Sequence, residues 1–267
     1  MIGYECVKGI YYVQIKSYLS NILSSLSSTF ILHYKLLKEG ITSSKYNKSR
    51  QIIILINIEI MAVERKEIDT KKIKECGLPL LWMLGGPGSG KSTQCVMLSK
   101  VKEMILISPE DLVKEQAEQA TPRGHQISKA IEGKSWKALE TPVIVDIVIE
   151  SLDYQLDNWF GNPEGKPKGI IFDGFPNNLE QAKEFVSRAI PATKIIHISL
   201  EPYSLMERLM AKGSTDFEAN ESVCAEFQKD MVPIFTKYED KVIKVDGSEM
   251  SFLITADITS ALMKFKI

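Results

Sequence analysis

Residues 82–94 read WMLGGPGSGKSTQ and join a run of apolar residues to the start of a helical pattern. The apolar run, residues 80–84, predicts a short buried strand, and Lys91 and Ser92 open the predicted helix. Between them, four glycines allow a tight turn whose backbone N–H groups point inward and bind an anion, beside the positive end of the helix dipole. The spacing Gly-x4-Gly-Lys-Ser is typical of a loop that binds the phosphates of a nucleoside triphosphate.

Two side chains of this loop have a specific chemical role in such a site. The ammonium group of Lys91 reaches the outer phosphates, and the hydroxyl group of Ser92 is a ligand for Mg²⁺. The alternative is a glycine-rich turn that binds no ligand. It is disfavoured, because the same glycines and the same lysine would then have to occur at these spacings by chance. The sequence therefore predicts that the loop binds a triphosphate together with Mg²⁺.

The composition is that of an ordinary globular protein, because 44% of the 267 residues are hydrophobic and 25% are charged. This length suits one large α/β domain or two small ones. The formal net charge is −1, but residues 1–60 carry seven Lys and Arg against three Glu, so residues 61–267 are acidic by five charges. A net acidic domain is not a general nucleic-acid binder, and we expect no nucleic-acid partner.

Neither the cysteines nor the histidines have the spacing of a metal site. The cysteines are far apart in the sequence, and we interpret them as reduced thiols in a cytosolic-type compartment. The histidines are isolated as well, so we expect them to be core or surface side chains. These residues are Cys6, Cys76, Cys95, Cys224, His33, His125 and His197.

The first sixty residues differ from the rest of the chain, since they are basic, rich in Ser and Ile, and contain no Asp. No run in them reaches the roughly 18 apolar residues of a membrane-spanning helix, so we expect no membrane anchor. Three interpretations of this extension stay open: a disordered segment, a mitochondrial targeting segment, or upstream sequence included by a gene model, with Met61 as the true start. We favour the last, because targeting segments usually contain several arginines and this one contains only Arg50.

From residue 61 onward, predicted strands and helices alternate. The predicted strands are residues 80–84, 103–107, 169–173, 194–200 and 241–246. The main predicted helices are residues 91–102, 142–159, 178–189, 202–212, 221–237 and 252–264, and another begins at Pro109. Strands joined by crossover helices predict a three-layer α/β/α fold with a five-stranded parallel sheet, and a nucleotide at the carboxyl ends of its strands.

Two motifs carry a resemblance to a known family. Residues 85–95, GGPGSGKSTQC, resemble the adenylate kinase signature GGPGSGKGTQC, with Ser92 in place of one glycine. Residues 172–176, FDGFP, with Gln181 five positions beyond Pro176, resemble the second signature of that family. The similarity covers residues 80–267. It implies a P-loop nucleoside monophosphate kinase fold, with a monophosphate-binding part at residues 108–140 and a short lid at residues 213–220.

The resemblance also implies a role for each motif residue. ATP would be bound by Gly86, Gly88, Ser89, Gly90, Lys91, Ser92, Thr93 and Arg208. The monophosphate would be bound by Ser108, Lys114, Gly174, Asn177 and Gln181. The catalytic residues would be Lys91, Arg208 and Lys212. Mg²⁺ would contact Ser92 directly and Asp173 through water.

The partners implied by the resemblance are ATP, which donates the phosphoryl group, and a nucleoside monophosphate, which accepts it. We expect a monomer without membrane contacts. We expect it in the cytoplasm, or in mitochondria if residues 1–60 are a targeting segment.

Several arginines of the family pattern are absent from this chain. The residue after the Asp-Gly-Phe-Pro motif is Asn177, and other expected arginines are replaced by Lys114, Lys212 and Glu226. Only Arg208 stands where an arginine is expected. Lysine can replace the charge but not the planar, bidentate guanidinium, and Asn and Glu cannot replace even the charge. We therefore expect phosphoryl transfer to be weak, redirected to another acceptor, or absent.

Two hypotheses about function stay open at this point. The chain is either a nucleoside monophosphate kinase or a nucleotide-binding protein of the same fold without kinase activity. A kinase for another small acceptor, such as shikimate or gluconate, is a third hypothesis, which the Asp-Gly-Phe-Pro motif with Gln181 disfavours. Lys137 and Arg123 could supply positive charge on the acceptor side, but we expect both to serve surface solubility.

Overall fold

The computed structural model describes residues 63–160, 166–211 and 213–267, without the side chain of Phe160. The extension formed by residues 1–60 and the predicted catalytic residue Lys212 lie outside the described residues. The described residues belong to one compact unit, Val63–Ile267.

The centre of this unit is a five-stranded sheet, which confirms the predicted fold. Its strands are β1 (Leu80–Gly85), β2 (Met104–Ile107), β3 (Gly169–Asp173), β4 (Lys194–Ser199) and β5 (Val242–Asp246). The order across the sheet is β2-β3-β1-β4-β5, and every pairing is parallel. Since β1 lies between β3 and β4, the winding of the chain reverses at β1, and parallel sheets bind ligands at the carboxyl edge of such a point.

Helices pack on both faces of the sheet. They are α1 (Lys71–Glu75), α2 (Lys91–Val101), α3 (Pro109–Glu118), α4 (Pro122–Ile131), α5 (Thr141–Phe160), α6 (Leu179–Arg188), α7 (Pro202–Ala211), α8 (Phe217–Lys237) and α9 (Ser251–Met263). Two short 3-10 turns, Trp136–Ala138 and Glu239–Lys241, complete the described part. Helix α8 begins four residues earlier than predicted because the Asp216 side chain caps it, accepting a hydrogen bond from the Ala219 N–H at 2.9 Å.

The two hydrophobic layers on either side of the sheet follow from the alternation of side chains along β1. Leu80 and Trp82 face the cluster formed with helices α5 and α6. Leu81 and Met83 face the opposite cluster, formed with helices α2 and α9. All four side chains are fully buried. A central strand buried on both faces fixes the position of the loop that follows it.

His197 and Cys95 are both packed against the sheet. His197 in β4 stacks on Phe235 with 4.2 Å between the ring centroids, and burial together with the nearby Lys244 lowers its pKa to about 4. Cys95 in α2 is fully buried, and burial raises the pKa of its thiol well above the ordinary value. Within the described ranges, no group of three or more His, Cys, Asp or Glu side chains is arranged to hold a metal ion.

A buried carboxylate ties the segment before β1 to the helices on one face of the sheet. Asp146 of α5 is fully buried and accepts hydrogen bonds from Nε and Nη2 of Arg65 at 2.9 and 3.0 Å. Nη1 of Arg188 in α6 lies 2.7 Å from the same carboxylate. Burial alone would raise the pKa of Asp146, but hydrogen bonds to the two guanidinium groups outweigh it, and the pKa is lowered.

Replacing this carboxylate tests its contribution to stability. Asp146→Asn should lower the free energy of unfolding at pH 7 by about 1.5–3 kcal/mol, because the charge-assisted hydrogen bonds to Arg65 and Arg188 lose the carboxylate charge. The stabilisation is complete above the pKa of about 3.9 of an Asp in the unfolded chain, and it is lost as the pH falls through the lower pKa of the folded state. Urea denaturation at several pH values should therefore show that the difference in the free energy of unfolding between variant and wild type becomes smaller below about pH 4.

The matched control is Asp153→Asn on the same helix. Asp153 lies 3.0 Å from Lys72, and both side chains are partly exposed. An exposed pair of this kind contributes less than about 1 kcal/mol. Equal losses of stability in the two variants would contradict the assignment of the buried pair as the stronger interaction.

Candidate active site

The loop between β1 and α2 lies at the carboxyl edge of the central strand. Gly90 caps α2 with a φ of 90°, a conformation that is costly for other residues. The Ser89 N–H donates to the Gly86 carbonyl at 3.0 Å. On its outer side the loop packs closely against α7, because a Cβ added at Gly86 would lie 2.8 Å from Leu205. The backbone of the loop is thus held between a buried strand and a helix.

The register between β1 and β3 brings a carboxylate to the same edge. Asp173, the last residue of β3, pairs with Met83 of β1, two residues before the loop begins. One oxygen of Asp173, Oδ1, is buried and has no hydrogen-bond partner. Burial raises the pKa of this carboxyl group, and hydrogen bonding to Ser92 and the charge of Lys91 oppose part of that rise.

These oxygen atoms fit a hydrated magnesium ion. Mg²⁺ prefers oxygen ligands and keeps several of its waters in proteins. The hydroxyl of Ser92 can serve as one such ligand, and the free Oδ1 of Asp173 can accept a hydrogen bond from a metal-bound water. Ser92 and Asp173 thus have the oxygen atoms that the predicted metal roles require, and those roles stay a prediction.

The side chain of Lys91 takes its direction from Gly174. The Gly174 N–H donates to the Met83 carbonyl at 3.0 Å, and its φ is +66°. A Cβ added at Gly174 would lie 3.0 Å from Cε of Lys91. The methylene chain of Lys91 thus runs directly over the Gly174 backbone, which leaves room for it only because a glycine stands there.

A cleft of about 430 Å³ opens in front of these groups. Its walls come from the phosphate loop, the first turn of α3, the Trp136–Ala138 turn, the segment after β3, and α8. The predicted site residues among its lining are Lys91, Ser92, Ser108, Asp173, Gly174 and Asn177. The structure therefore brings Lys91, Ser92 and Asp173 of the donor side and part of the predicted monophosphate site into one space.

Other predicted site residues lie outside the lining of the cleft. Lys114 lies on exposed surface, with Nζ 2.7 Å from Oε1 of Glu110. Gln181 is buried, and its Oε1 accepts a hydrogen bond from the Asn177 N–H at 2.8 Å, so it supports the backbone of the segment after β3. Arg208 contacts the far side of the phosphate loop and donates to the Gly247 carbonyl at 2.8 Å.

The hydroxyl groups of the remaining predicted site residues lie in different surroundings. The side chain of Ser89 is buried, and its Oγ has no hydrogen-bond partner. Thr93 is exposed on the first turn of α2. Ser108 caps α3, since its side chain accepts a hydrogen bond from the Asp111 N–H at 3.4 Å.

Sequence reasoning missed the position of one lysine and misjudged one arginine. Lys137, on the Trp136–Ala138 turn, has an exposed side chain that also lines the cleft. Arg123 forms an ion pair with Glu150 at 2.6 Å, and both side chains are only about 15% exposed. Arg123 therefore does not simply serve solubility, and no motif in the sequence points to either place.

The charges that line the cleft are mostly negative. Its described lining includes two lysines, Lys91 and Lys137, and four carboxylates, Glu110, Asp111, Asp173 and Glu226. Lys114 compensates Glu110 from outside the cleft. Two positions in the lining where the resemblance implies arginines hold the neutral Asn177 and the acidic Glu226.

Comparison with known proteins agrees with this geometry. A family model described as adenylate kinase matches residues 83–243. The chain belongs to the adenylate kinase family. It is 27% identical over 214 residues to adenylate kinase isoenzyme 1 of Caenorhabditis elegans, an alignment that covers 76% of this chain and 98% of that protein. Over 170 residues it is 26% and 25% identical to the isoenzymes 1 of Bos taurus and Homo sapiens, covering 61% of this chain and 82% of each relative.

Membership of the adenylate kinase family confirms the resemblance seen in the two motifs. It also allows the positions where the family pattern has arginines to be located relative to the cleft. Asn177 and Glu226 both line the cleft of this family member, whereas Lys114 does not. Two of the four departures from the family pattern, Asn177 and Glu226, therefore lie in the lining of the cleft.

Substituting Gly174 tests whether it positions Lys91. Gly174→Ala should weaken the affinity for MgATP about 10- to 100-fold, because the new methyl group displaces the lysine that contacts the phosphates. Isothermal titration calorimetry measures this affinity directly. Gly133→Ala is a matched control, since Gly133 has the same φ of +66° but no atom within 4 Å of an added Cβ. If the two variants bind MgATP with equal affinity, displacement of Lys91 is not what changes the affinity.

Proposed function

We propose that this protein transfers the γ-phosphoryl group of MgATP to a nucleoside monophosphate, giving ADP and a nucleoside diphosphate, at a rate well below that of a fully equipped kinase. One observation carries the proposal. The cleft joins a complete phosphate loop, with Lys91, Ser92 and Asp173, to an acceptor wall whose expected arginine positions hold Asn177 and Glu226.

The donor half of the reaction is supported by backbone as well as side chains. The phosphate loop and the N-terminus of α2 offer N–H groups to the β- and γ-phosphates, and Lys91 adds a full positive charge. Arg208 borders the loop near Gly88, on the side of the Gly247 carbonyl, where the base and sugar of ATP would lie. Lys212 is proposed as a further cation next to the lid segment, residues 213–220.

Mg²⁺ would be held at the edge of β1 and β3. Ser92 would be a direct ligand and Asp173 would accept a hydrogen bond from a metal-bound water, through the free Oδ1. When bound, the ion neutralises part of the charge on the β- and γ-phosphates. Burial, together with the nearby carboxylates of Asp111 and Glu110, raises the pKa of Asp173.

The acceptor half has fewer groups to work with. Phosphoryl transfer depends on alignment and on positive charge around the transferring oxygens, because the protein has little covalent chemistry to perform. In related phosphoryl-transfer enzymes, loss of one arginine costs on the order of 10³–10⁵ in rate. Ser108, Gly174 and Asn177 can border the acceptor phosphate, while Lys114 and Gln181 would act from behind the cleft wall.

A second candidate function is nucleotide binding without transfer. The four carboxylates of the cleft favour it, since they oppose the entry of a second anionic group. Binding of a nucleotide stabilises the folded state by RT ln(1 + [L]/Kd) whether or not turnover follows. A retained phosphate loop is compatible with either function.

The location and assembly of the protein stay proposals. No helix in the described ranges combines the length and the apolar composition needed to cross a bilayer. We propose a monomer in the cytoplasm, or in mitochondria if residues 1–60 are a targeting segment.

A coupled assay with MgATP and each of AMP, CMP, UMP and GMP tests the proposed reaction. We expect turnover below about 1 s⁻¹, at the bottom of the usual range for enzymes. Lys91→Ala should reduce turnover to background and remove the rise in melting temperature that MgATP produces. Lys100→Ala, an exposed residue on the same helix, should behave as wild type. A melting shift without any turnover would favour the binding function instead, and turnover of tens per second would contradict the impaired acceptor wall.

Reversing one charge on the acceptor wall tests the electrostatic explanation. Glu226→Arg removes a carboxylate from the cleft and adds a guanidinium, so turnover with the preferred monophosphate should rise at least tenfold, as expected for about 1.4 kcal/mol of added stabilisation of the transition state. Glu221→Arg, on the same helix but outside the cleft lining, makes the same change in net charge and should have little effect. Equal effects of the two variants would assign the gain to long-range charge and not to the acceptor wall.

A further inference from the structure

The acceptor wall contains one cation that no family motif supplies. Lys137 belongs to the Trp136–Ala138 turn, which is anchored by the nearly buried side chains of Trp136 and Leu139. The turn is closed by the Ser135 side chain, which accepts a hydrogen bond from the Lys137 N–H at 3.4 Å. A short turn fixed at both sides to the core holds its middle residue in one place, and here that residue lines the cleft.

The ammonium group of Lys137 has no partner of its own in the described part of the chain. It forms no ion pair within 4 Å and no side-chain hydrogen bond there, although Glu110, Glu226 and Asp230 are near enough to raise its pKa. Partial burial in the cleft and the charge of Lys91 have the opposite effect, and together they lower its pKa. Two unpaired ammonium groups thus share one cleft.

Such a pair of like charges is unfavourable without an anion between them. The charge of Lys91 is near enough to lower the pKa of Lys137, so an anion that contacts both lysines offsets their repulsion. Lys91 belongs to the donor phosphates. Lys137 lines the same cleft from a different segment, where the phosphate of an acceptor nucleotide would lie.

A second donor in the cleft lining is also unpaired in the described part of the chain. The side-chain nitrogen of Asn177, Nδ2, is buried and makes no hydrogen bond. Asn177 lines the cleft together with Lys137, and its backbone is held by Gln181. An amide N–H and an ammonium group on one wall match a group with several acceptor oxygens, such as a phosphate monoester.

We propose that Lys137, assisted by Nδ2 of Asn177, binds the phosphate group of the acceptor nucleotide in place of the arginine missing after the Asp-Gly-Phe-Pro motif. This inference rests on the proposed function and names the group that makes acceptor binding feasible in an acidic cleft. Lysine acts as a point charge and does not form the bidentate contact of an arginine. It therefore holds the acceptor without aligning it as closely, as the slow turnover of the proposed function requires.

Substituting Lys137 tests the proposal. Lys137→Gln should weaken binding of the preferred monophosphate, chosen among AMP, CMP, UMP and GMP, about 10- to 100-fold, as expected for loss of one charge-assisted contact. MgATP affinity should change less than about twofold, because Lys91 and the phosphate loop are intact. Isothermal titration of the full chain measures both. Lys134→Gln, an exposed lysine of the same segment outside the cleft lining, should bind both nucleotides as wild type does.

Two further variants separate binding from mere structural support. Lys137→Arg keeps the charge and should keep monophosphate binding within about threefold of wild type, as expected when a charge-assisted contact survives. Adding Asn177→Arg to Lys137→Gln restores a cation to the same wall and should recover most of the lost affinity. A residue that only supported the turn would not be rescued by a charge placed on a different segment.

The outcomes distinguish this inference from the proposed function. If Lys137→Gln binds the monophosphate as tightly as wild type does, Lys137 is not the phosphate-binding group, and the proposed kinase function still stands. If the wild-type chain binds MgATP but none of the four monophosphates at millimolar concentration, both the acceptor and the role of Lys137 are wrong. A parallel loss of MgATP affinity in Lys137→Gln would assign the residue to the donor phosphates and overturn the proposal.

Discussion

The parallel pairing of β1 with β3 is the constraint on which the site depends. It places Asp173 beside Met83, just before the phosphate loop, and so brings a carboxylate, the Ser92 hydroxyl and the Lys91 ammonium to one edge of the sheet. It also sets Gly174 under the methylene chain of Lys91. Because both strands are buried in the core, neither Asp173 nor the start of the phosphate loop can move without disturbing the hydrophobic layers on the two faces of the sheet.

The donor half of the site could be predicted from the sequence because its chemistry is local. The glycines, Lys91 and Ser92 are consecutive, and their role follows from their spacing and from the strand and helix at either end. The alternation of apolar strands with helices likewise gave the five parallel strands, though not their order, which depends on contacts between distant segments. Asp173 could be placed only because the motif around it resembled that of a family.

The acceptor half could not be read in the same way. Lys137 belongs to a 3-10 turn of three residues, which no periodic pattern in the sequence predicts. It reaches the cleft because the buried side chain of Trp136 anchors the turn in the core. Lys114 and Gln181 were expected in the site from their motif positions. An ion pair with Glu110 draws the first to the surface, and a hydrogen bond to the Asn177 backbone turns the second inward. The positions of these two side chains therefore depend on residues that contact them in the folded structure, which the motifs do not specify.

The two halves also differ in what it costs to change them. Much of the donor site is backbone, and it packs so closely against α7 that a Cβ added at Gly86 would lie 2.8 Å from Leu205, so a substitution there forces the neighbouring side chain to move. The acceptor cations are side chains at the edge of an open cleft, and replacing an arginine there by Asn or Glu removes charge while leaving the packing intact. A complete phosphate loop is therefore weak evidence for turnover in this family. The cations on the opposite wall, of which Lys137 is the one in the described lining, are the stronger indicator.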